Sequence, residues 1–158
     1  MHRILSPAIR YGALAFALAS TLTFLAKSFT DYQPAVAAAA GALGHGTIAM
    51  VLIVGTLVGV WFEEGLFRWF PIRIARLISA DKRVHWVFAI AASIAFGYLH
   101  FAASVLHGQW QNIFIQGAPA FVLSAACLRY GYLTAVFAHM VWNAMVIVLV
   151  VMLAVVPL

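Results

Sequence analysis

The most informative segment of the chain is Trp61-Phe62-Glu63-Glu64-Gly65-Leu66-Phe67-Arg68-Trp69, which follows a long apolar run over residues 48–60. Only four acidic residues occur in the 158-residue chain, and two of them lie side by side here. A charged side chain at membrane depth is costly and is usually kept for function. The stretch therefore predicts a membrane-embedded helix that carries a functional site.

The spacing within this stretch assigns different environments to the two carboxylates. Arg68 follows Glu64 by four residues, so both lie on one helical face and can form an ion pair. Glu63 lies about 100° around the helix and has no basic residue three or four positions later. We therefore expect Glu64 to be held in place and Glu63 to be left free for chemistry.

The composition indicates an all-α, polytopic transmembrane helical bundle. The chain is 66% hydrophobic and only 8% charged, with a mean hydropathy of +1.04, which excludes an ordinary soluble domain. Its length allows about five spans in a single membrane domain, residues 1–158. The single cysteine, Cys127, lies within an apolar run, so an internal disulfide is excluded and a thiolate metal site is not expected.

Five apolar segments are long enough to be predicted as spans. The first begins after a positively charged end and could alternatively be a signal peptide, but Lys27 closes it without a clear cleavage site. Pro71 is predicted to kink or end the second span, and Pro119 to kink the fourth. The predicted spans cover residues 11–26, 47–70, 84–106, 113–128 and 132–156.

The positions of the basic residues predict the orientation in the membrane. Arg3, Arg10, the segment 73–83 and Arg129 all fall on one side of a five-span arrangement. Basic residues accumulate on the cytoplasmic side, so we expect a cytoplasmic N-terminus in an integral membrane protein, with the bacterial inner membrane as its location. The basic residues that give the net charge of +5 flank apolar runs. They do not form the basic patch interleaved with aromatic residues that is typical of nucleic-acid-binding proteins, so no nucleic-acid partner is expected.

Three of the predicted spans carry polar groups that lipid disfavours. The second span has Glu63, Glu64 and Arg68. The third has His100, and the fifth has His139 and Asn143 on one face. A lone histidine in an apolar helix is more often structural than functional. Costly groups on three separate helices are better explained if they meet in one hydrated cavity.

The expected register of the second and third spans places Glu63 close to His100. If both helices continue to the turn near residues 80–81, antiparallel pairing sets Glu63 opposite Tyr98, two residues from His100. If the second helix stops at Pro71, the match shifts away from His100.

These residues also form three ordered motifs: Glu63-Glu64-x-x-x-Arg68, Phe96-x-x-x-His100 and His139-x-x-x-Asn143. Together they resemble the motifs of the CPBP intramembrane proteases, a family that includes the CAAX prenyl endopeptidases and bacteriocin-processing and immunity-type proteins. The segment 130–135, just before the last motif, resembles the family's usual lead-in. The motifs span residues 63–143, within a family-like core of about 47–156.

The resemblance implies hydrolysis of a peptide bond in a membrane-associated or C-terminal-tail substrate. It makes Glu63 the general base that activates water, with help from His100. His139 and Asn143 would position the water or stabilise the oxyanion. Glu64, Arg68 and Phe96 would support the site. The implied surroundings are membrane lipid and a peptide or protein substrate, without a cofactor.

The size of the chain departs from this pattern. CAAX endopeptidases of the family have more helices around the same core, so five spans leave one side open unless a partner or a second copy covers it. This departure leaves both homo-oligomer formation and the use of prenylated substrates open.

Three other functions fit parts of the pattern. A zinc-dependent protease would use Glu63, His100 and His139 as ligands with water in the fourth position, although no H-E-x-x-H motif occurs. A non-catalytic immunity or chaperone-like membrane protein would keep the motifs for structure. A proton-coupled carrier would use the same groups as a relay, but the sequence shows no internal repeat.

Overall fold

The computed structural model describes residues 2–31, 44–102 and 109–155. Nearly all of these residues are helical and none is in a strand, which confirms the predicted all-α helical bundle. The single-residue joint between the last two helices, Gly131, has φ +95°, a conformation that favours glycine. The helices are α1 (His2–Phe29), α2 (the composite run 45–78), α3 (Lys82–Ala102), α4 (Gln111–Tyr130) and α5 (Tyr132–Val155).

Helix α2 alternates between α-helical and π-helical segments. Two π turns interrupt it, and in each of them a backbone N–H bonds the carbonyl five residues earlier. The turn that carries both glutamates is thus a single α-helical turn between two π turns. The segments are His45–Val54 (α), Gly55–Gly59 (π), Val60–Glu64 (α), Gly65–Trp69 (π) and Phe70–Ile78 (α).

Pro71 does not end α2, which continues to Ile78. Proline lacks an N–H, and its ring crowds the carbonyl four residues earlier. Here the π turn Gly65–Trp69 lies directly before it, so that the N–H of Phe70 bonds the Gly65 carbonyl, five residues earlier, and Pro71 follows as the second residue of the next α-helical segment. The widened turn explains why the helix passes the proline.

Within the part of the chain that the structure describes, three helices are long and apolar enough to cross a membrane: Ile4–Phe29, Gln111–Tyr130 and Tyr132–Leu149. They correspond to the first, fourth and fifth predicted spans. The π turns divide α2 into segments of ten residues or fewer. Helix α3, which corresponds to the third predicted span of residues 84–106, begins at Lys82, and the predicted end of that span at residues 103–106 lies outside the described residues.

Small side chains allow the helices to approach one another closely, as is common in membrane bundles. Helix α1 packs against α4 and α5, and α3 packs along α4. Where α3 crosses α4, Gly97 lies against the backbone of Gly117. The Ser93 and Ser124 hydroxyls are 3.1 Å apart at the same interface. The core between α1, α4 and α5 contains Ala8, Ala15, Leu123, Ala138 and Trp142.

We expect Gly97→Ala to destabilise the bundle by about 2 kcal/mol, because overpacking a tight contact forces the backbones apart. A Cβ at this position would collide with the carbonyl oxygen of Ile113. Thermal unfolding in detergent measures the effect. Gly46→Ala is the control, since a Cβ there meets nothing within 4 Å. Equal melting temperatures for the two variants would contradict the close crossing of α3 and α4.

Candidate functional site

The site is built around a buried ion pair within α2. The side chains of Glu64 and Arg68 have no solvent exposure, and Glu64 Oε1 lies 3.1 Å from Arg68 Nη1. Arg68 Nη2 also donates to the carbonyl of Ala120 in α4, at 3.4 Å. Its guanidinium carbon lies 4.5 Å from the centre of the Phe96 ring in α3. Arg68 therefore links three helices, and its charge is neutralised by Glu64.

His139, from α5, lies between the two carboxylates. Its Nδ1 is 2.9 Å from Glu64 Oε1, and its Nε2 is 3.8 Å from Glu63 Oε2. Because a carboxylate oxygen accepts, an ionised Glu64 requires Nδ1 to carry its proton and donate. Nε2 is then the nitrogen that faces Glu63. The Trp142 ring stacks on the imidazole with 5.2 Å between centroids, which fixes its plane.

The two glutamates differ sharply in environment. The side chain of Glu63 is 39% exposed, whereas that of Glu64 is fully buried. Arg68 forms its ion pair with Glu64, whereas among the described residues Glu63 has His139 as a titratable partner, through Nε2. One carboxylate is thus locked into the bundle, while its neighbour is accessible beside an imidazole.

Phe96 lies at the centre of the site and is 1% exposed. Its ring centroid is 5.3 Å from that of Phe67, 4.2 Å from that of His100 and 6.2 Å from that of His139. The two imidazoles therefore lie against the same aromatic ring. This ring, together with Arg68, positions α3 relative to α2 and α5.

His100 is half-buried, and its Nδ1 lies 3.0 Å from the carbonyl oxygen of Phe96. Since a carbonyl only accepts, Nδ1 is the donor. In the neutral ring Nε2 then carries a lone pair and can accept a hydrogen bond. The structure therefore assigns His100 one orientation and one tautomer.

The structure brings most of the predicted site residues together, around Phe96 and the ion pair. Asn143 is half-buried and lies one turn after His139 on the same helix. Its position follows from the helix alone. The residues that lie in one cluster are Glu63, Glu64, Arg68, Phe96, His100 and His139.

Sequence reasoning missed three contributors to the cluster. Trp142 follows His139 by three residues, a spacing that predicts a shared face, and this signal was available. The carbonyl of Ala120 and the Tyr132 hydroxyl, which donates to the Trp61 carbonyl at 2.9 Å, have no such signal. Bonds to backbone carbonyls depend on helix packing and are invisible in residue spacing.

Three polar atoms at the ion pair are buried without a hydrogen-bond partner among the described residues: Glu64 Oε2, Arg68 Nε and Arg68 Nη1, the last of which contacts Glu64 Oε1 only as an ion pair. Buried polar atoms are normally satisfied by protein or ordered water, so the cluster suits a hydrated pocket. Across the described ranges, no group of three His, Cys, Asp or Glu side chains has the arrangement of a metal site.

A family model described as Type II CAAX prenyl endopeptidase Rce1-like matches residues 44–145. The match covers more than half of the chain and contains all three motifs. No curated protein and no solved structure matches the chain.

Proposed function

The chain belongs to the Rce1-like family of type II CAAX prenyl endopeptidases, a family of intramembrane proteases, and we propose that it hydrolyses a peptide bond with a water molecule activated by Glu63. The substrate would be a membrane-associated protein or peptide that is cut near its C-terminal tail. No metal or other cofactor takes part in this proposal.

One observation carries the proposal: the accessible carboxylate of Glu63 faces His139 Nε2 at 3.8 Å, while the neighbouring Glu64 is occupied by Arg68 and His139 Nδ1. A general base must reach the proton that it removes, directly or through one water. The gap between Glu63 and His139 is wider than a direct hydrogen bond, and a water held there would contact both groups.

The charges of the cluster support this assignment. With both glutamates ionised, Arg68 protonated and His139 protonated, the four groups sum to zero. A neutral set is the favourable arrangement in a low-dielectric bundle, since an uncompensated buried charge is costly. In that state Glu63 is an ionised base, and the Nε2–H of His139 is a donor directed toward it.

The reaction then needs no further co-reactant. Glu63 removes a proton from water, and the hydroxide oxygen attacks the scissile carbonyl carbon. The C–N bond breaks as Glu63 passes the proton to the departing amine nitrogen, and the carbonyl oxygen regains its double bond. During attack, negative charge develops on the carbonyl oxygen, and each preorganised donor to it is worth about 3 kcal/mol of barrier.

His100 and Asn143 complete the proposal. His100 Nε2, as an acceptor, would orient the attacking water, because its Nδ1 proton is engaged by the Phe96 carbonyl. The Asn143 amide would donate to the developing oxyanion together with the Nε2–H of His139. Phe96 would hold both imidazoles in place through the ring contacts described above.

The experiment that tests this proposal uses the purified protein in proteoliposomes with a farnesylated peptide that ends in a C-A-A-X sequence. A farnesyl group is one of the prenyl groups attached to such tails. Release of the C-terminal fragment by the wild type is the expected result. In parallel, membrane peptides that disappear or accumulate when the gene is deleted would identify a different substrate. No cleavage of any of them would favour a non-catalytic role.

We expect cleavage to persist after treatment with a strong chelator such as 1,10-phenanthroline, because the proposed base acts on water without a metal. Zinc-dependent hydrolysis by Glu63, His100 and His139 predicts the opposite result. Activity lost to the chelator and regained on addition of Zn²⁺ would replace the glutamate mechanism with a metal mechanism. The non-chelating 1,7-phenanthroline isomer controls for direct inhibition by the reagent.

Orientation and assembly are also proposals. The basic ends of the helices favour a cytoplasmic N-terminus, and the composition suits the bacterial inner membrane. The smaller number of helices than in the family's CAAX endopeptidases is the ground for proposing that a second copy of the chain completes the site.

A further inference from the structure

The turn that carries Glu63 has weak support from its own helix. Val60–Glu64 is a single α-helical turn with π turns on both sides. Residues 55, 59 and 65 are glycines. They have no side chain that could pack and hold the backbone in one conformation. A π turn rotates the residues after it relative to a regular helix. The direction of the Glu63 side chain therefore depends on contacts made from outside α2.

Tyr132, the first residue of α5, makes such contacts to this turn. Its hydroxyl donates to the Trp61 carbonyl at 2.9 Å, and its ring meets the Trp61 ring edge-on, with 6.3 Å between centroids. A Cβ added to Gly65 would lie 3.8 Å from the same hydroxyl. Tyr132 thus bonds the glutamate-bearing turn near its start, and its hydroxyl lies close to Gly65, the residue that directly follows the turn.

The hydrogen bond from the Tyr132 hydroxyl adds to the backbone hydrogen bonds that hold the turn. The Gly65 N–H is shared between the carbonyls of Trp61 and Phe62, so the Trp61 carbonyl receives only part of a helical hydrogen bond. The tyrosine hydroxyl supplies the second donor.

Tyr132 and His139 are seven residues apart on α5, about two turns along one face. His139 holds Glu64 and faces Glu63, while Tyr132 holds the backbone two residues before Glu63. Gly131, with its φ of +95°, sets the start of this helix. The same face of α5 therefore touches the glutamate turn at its backbone and at its side chains.

From these contacts we propose that Tyr132 is a positioning residue for Glu63, whose hydroxyl fixes the turn so that the Glu63 carboxylate faces His139 Nε2. This inference rests on the proposed function of Glu63 and adds a residue that none of the three motifs includes. Tyr132 does not touch the reacting atoms. Its loss would change the geometry of the base and leave the binding of substrate intact.

The test is Tyr132→Phe, which removes one oxygen and keeps the ring. We expect kcat to fall about tenfold, as loss of one orienting hydrogen bond would produce, while KM stays within about twofold. Hydrogen exchange of the peptide that covers residues 60–66 should become faster, and exchange elsewhere should not change. Tyr130→Phe is the matched control, since the Tyr130 ring packs on Tyr11 in α1, and it should behave as wild type in both measurements.

The outcomes separate this inference from the proposed function. Wild-type kcat and exchange in Tyr132→Phe, in a protein whose Glu63→Gln variant is inactive, would overturn the positioning role alone. A general rise in exchange with a lower melting temperature would reduce Tyr132 to a structural residue and would also overturn it. Activity retained in Glu63→Gln would overturn the proposed function, and the exchange of residues 60–66 would still decide the role of Tyr132.

Discussion

Replacement of Glu63 by glutamine is expected to abolish peptide cleavage, with a loss of about a thousandfold or more, while the protein still accumulates in the membrane. General acid–base catalysis contributes roughly 10²–10⁴-fold to a rate, and an amide cannot remove the proton from water. The side chain is 39% exposed, and the direct partner of Arg68 is Glu64, so we expect the fold to tolerate the substitution. Cleavage of the farnesylated peptide, normalised to protein in the vesicles, measures the loss.

Glu64→Gln is the matched control, because it makes the same chemical change one residue later. Glu64 is buried between Arg68 and His139, so this variant is expected to accumulate poorly, and Glu63→Gln is not. Substantial cleavage by Glu63→Gln would remove the glutamate base from the account. If both variants lost protein equally, the assignment of a structural role to Glu64 and a catalytic role to Glu63 would be contradicted.

Arg68→Met is expected to have the largest effect on stability, about 3–5 kcal/mol, because loss of one partner leaves the other charge of a buried pair uncompensated. The variant also loses the bond to the Ala120 carbonyl and the contact with the Phe96 ring. Thermal unfolding in detergent and abundance in the membrane measure the loss. Activity per folded molecule is expected to fall as well, since Glu64 would no longer be neutralised.

Arg73→Met provides the control for this prediction. Arg73 is an exposed arginine in the last segment of α2, and exposed substitutions usually change stability by less than about 0.5 kcal/mol. The double variant Arg68→Met, Glu64→Gln is expected to recover part of the stability, because it removes both charges together. A wild-type melting temperature for Arg68→Met would show that the ion pair does not hold the bundle.

The helical membrane fold could be predicted because its signal is spread over the whole chain. The apolar runs are long, the basic residues separate them, and both ends of α4 and the start of α5 lie within two residues of those predicted, while the predicted end of the fifth span at residue 156 lies outside the described residues. The pairing of Glu64 with Arg68 was likewise predictable, since a spacing of four residues places both on one face. Family membership, predicted from the three motifs, is confirmed by the match over residues 44–145.

The course of α2 was less predictable, for a local physical reason. A proline at position 71 is consistent with a kink, a helix end or a preceding π turn, and spacing cannot distinguish these. The structure has the π turn, so α2 continues to Ile78, and the helix reaches the turn before α3 that the antiparallel register required.

The internal arrangement of the site depends on contacts between helices. The antiparallel register predicted His100 near Glu63, whereas the imidazole that lies beside Glu63 in the structure is that of His139. His100 instead lies against Phe96, which joins it to the same cluster. The two π turns rotate parts of α2 and so decide which carboxylate faces which histidine. These rotations cannot be predicted from residue spacing. The chemical roles of these residues, Asn143 included, stay predictions.

The central claim is that Glu63 of α2 and His139 of α5 face each other in one pocket. Cysteines at these two positions, in a Cys127→Ala background that removes the single native thiol, test it with a short bifunctional thiol reagent in native membranes. We predict an efficient intramolecular cross-link for the 63–139 pair. For a pair formed from position 62 and His139 we predict little or none, since Phe62 is 75% exposed at the surface. Efficient cross-linking from position 62, with none from position 63, would contradict the account.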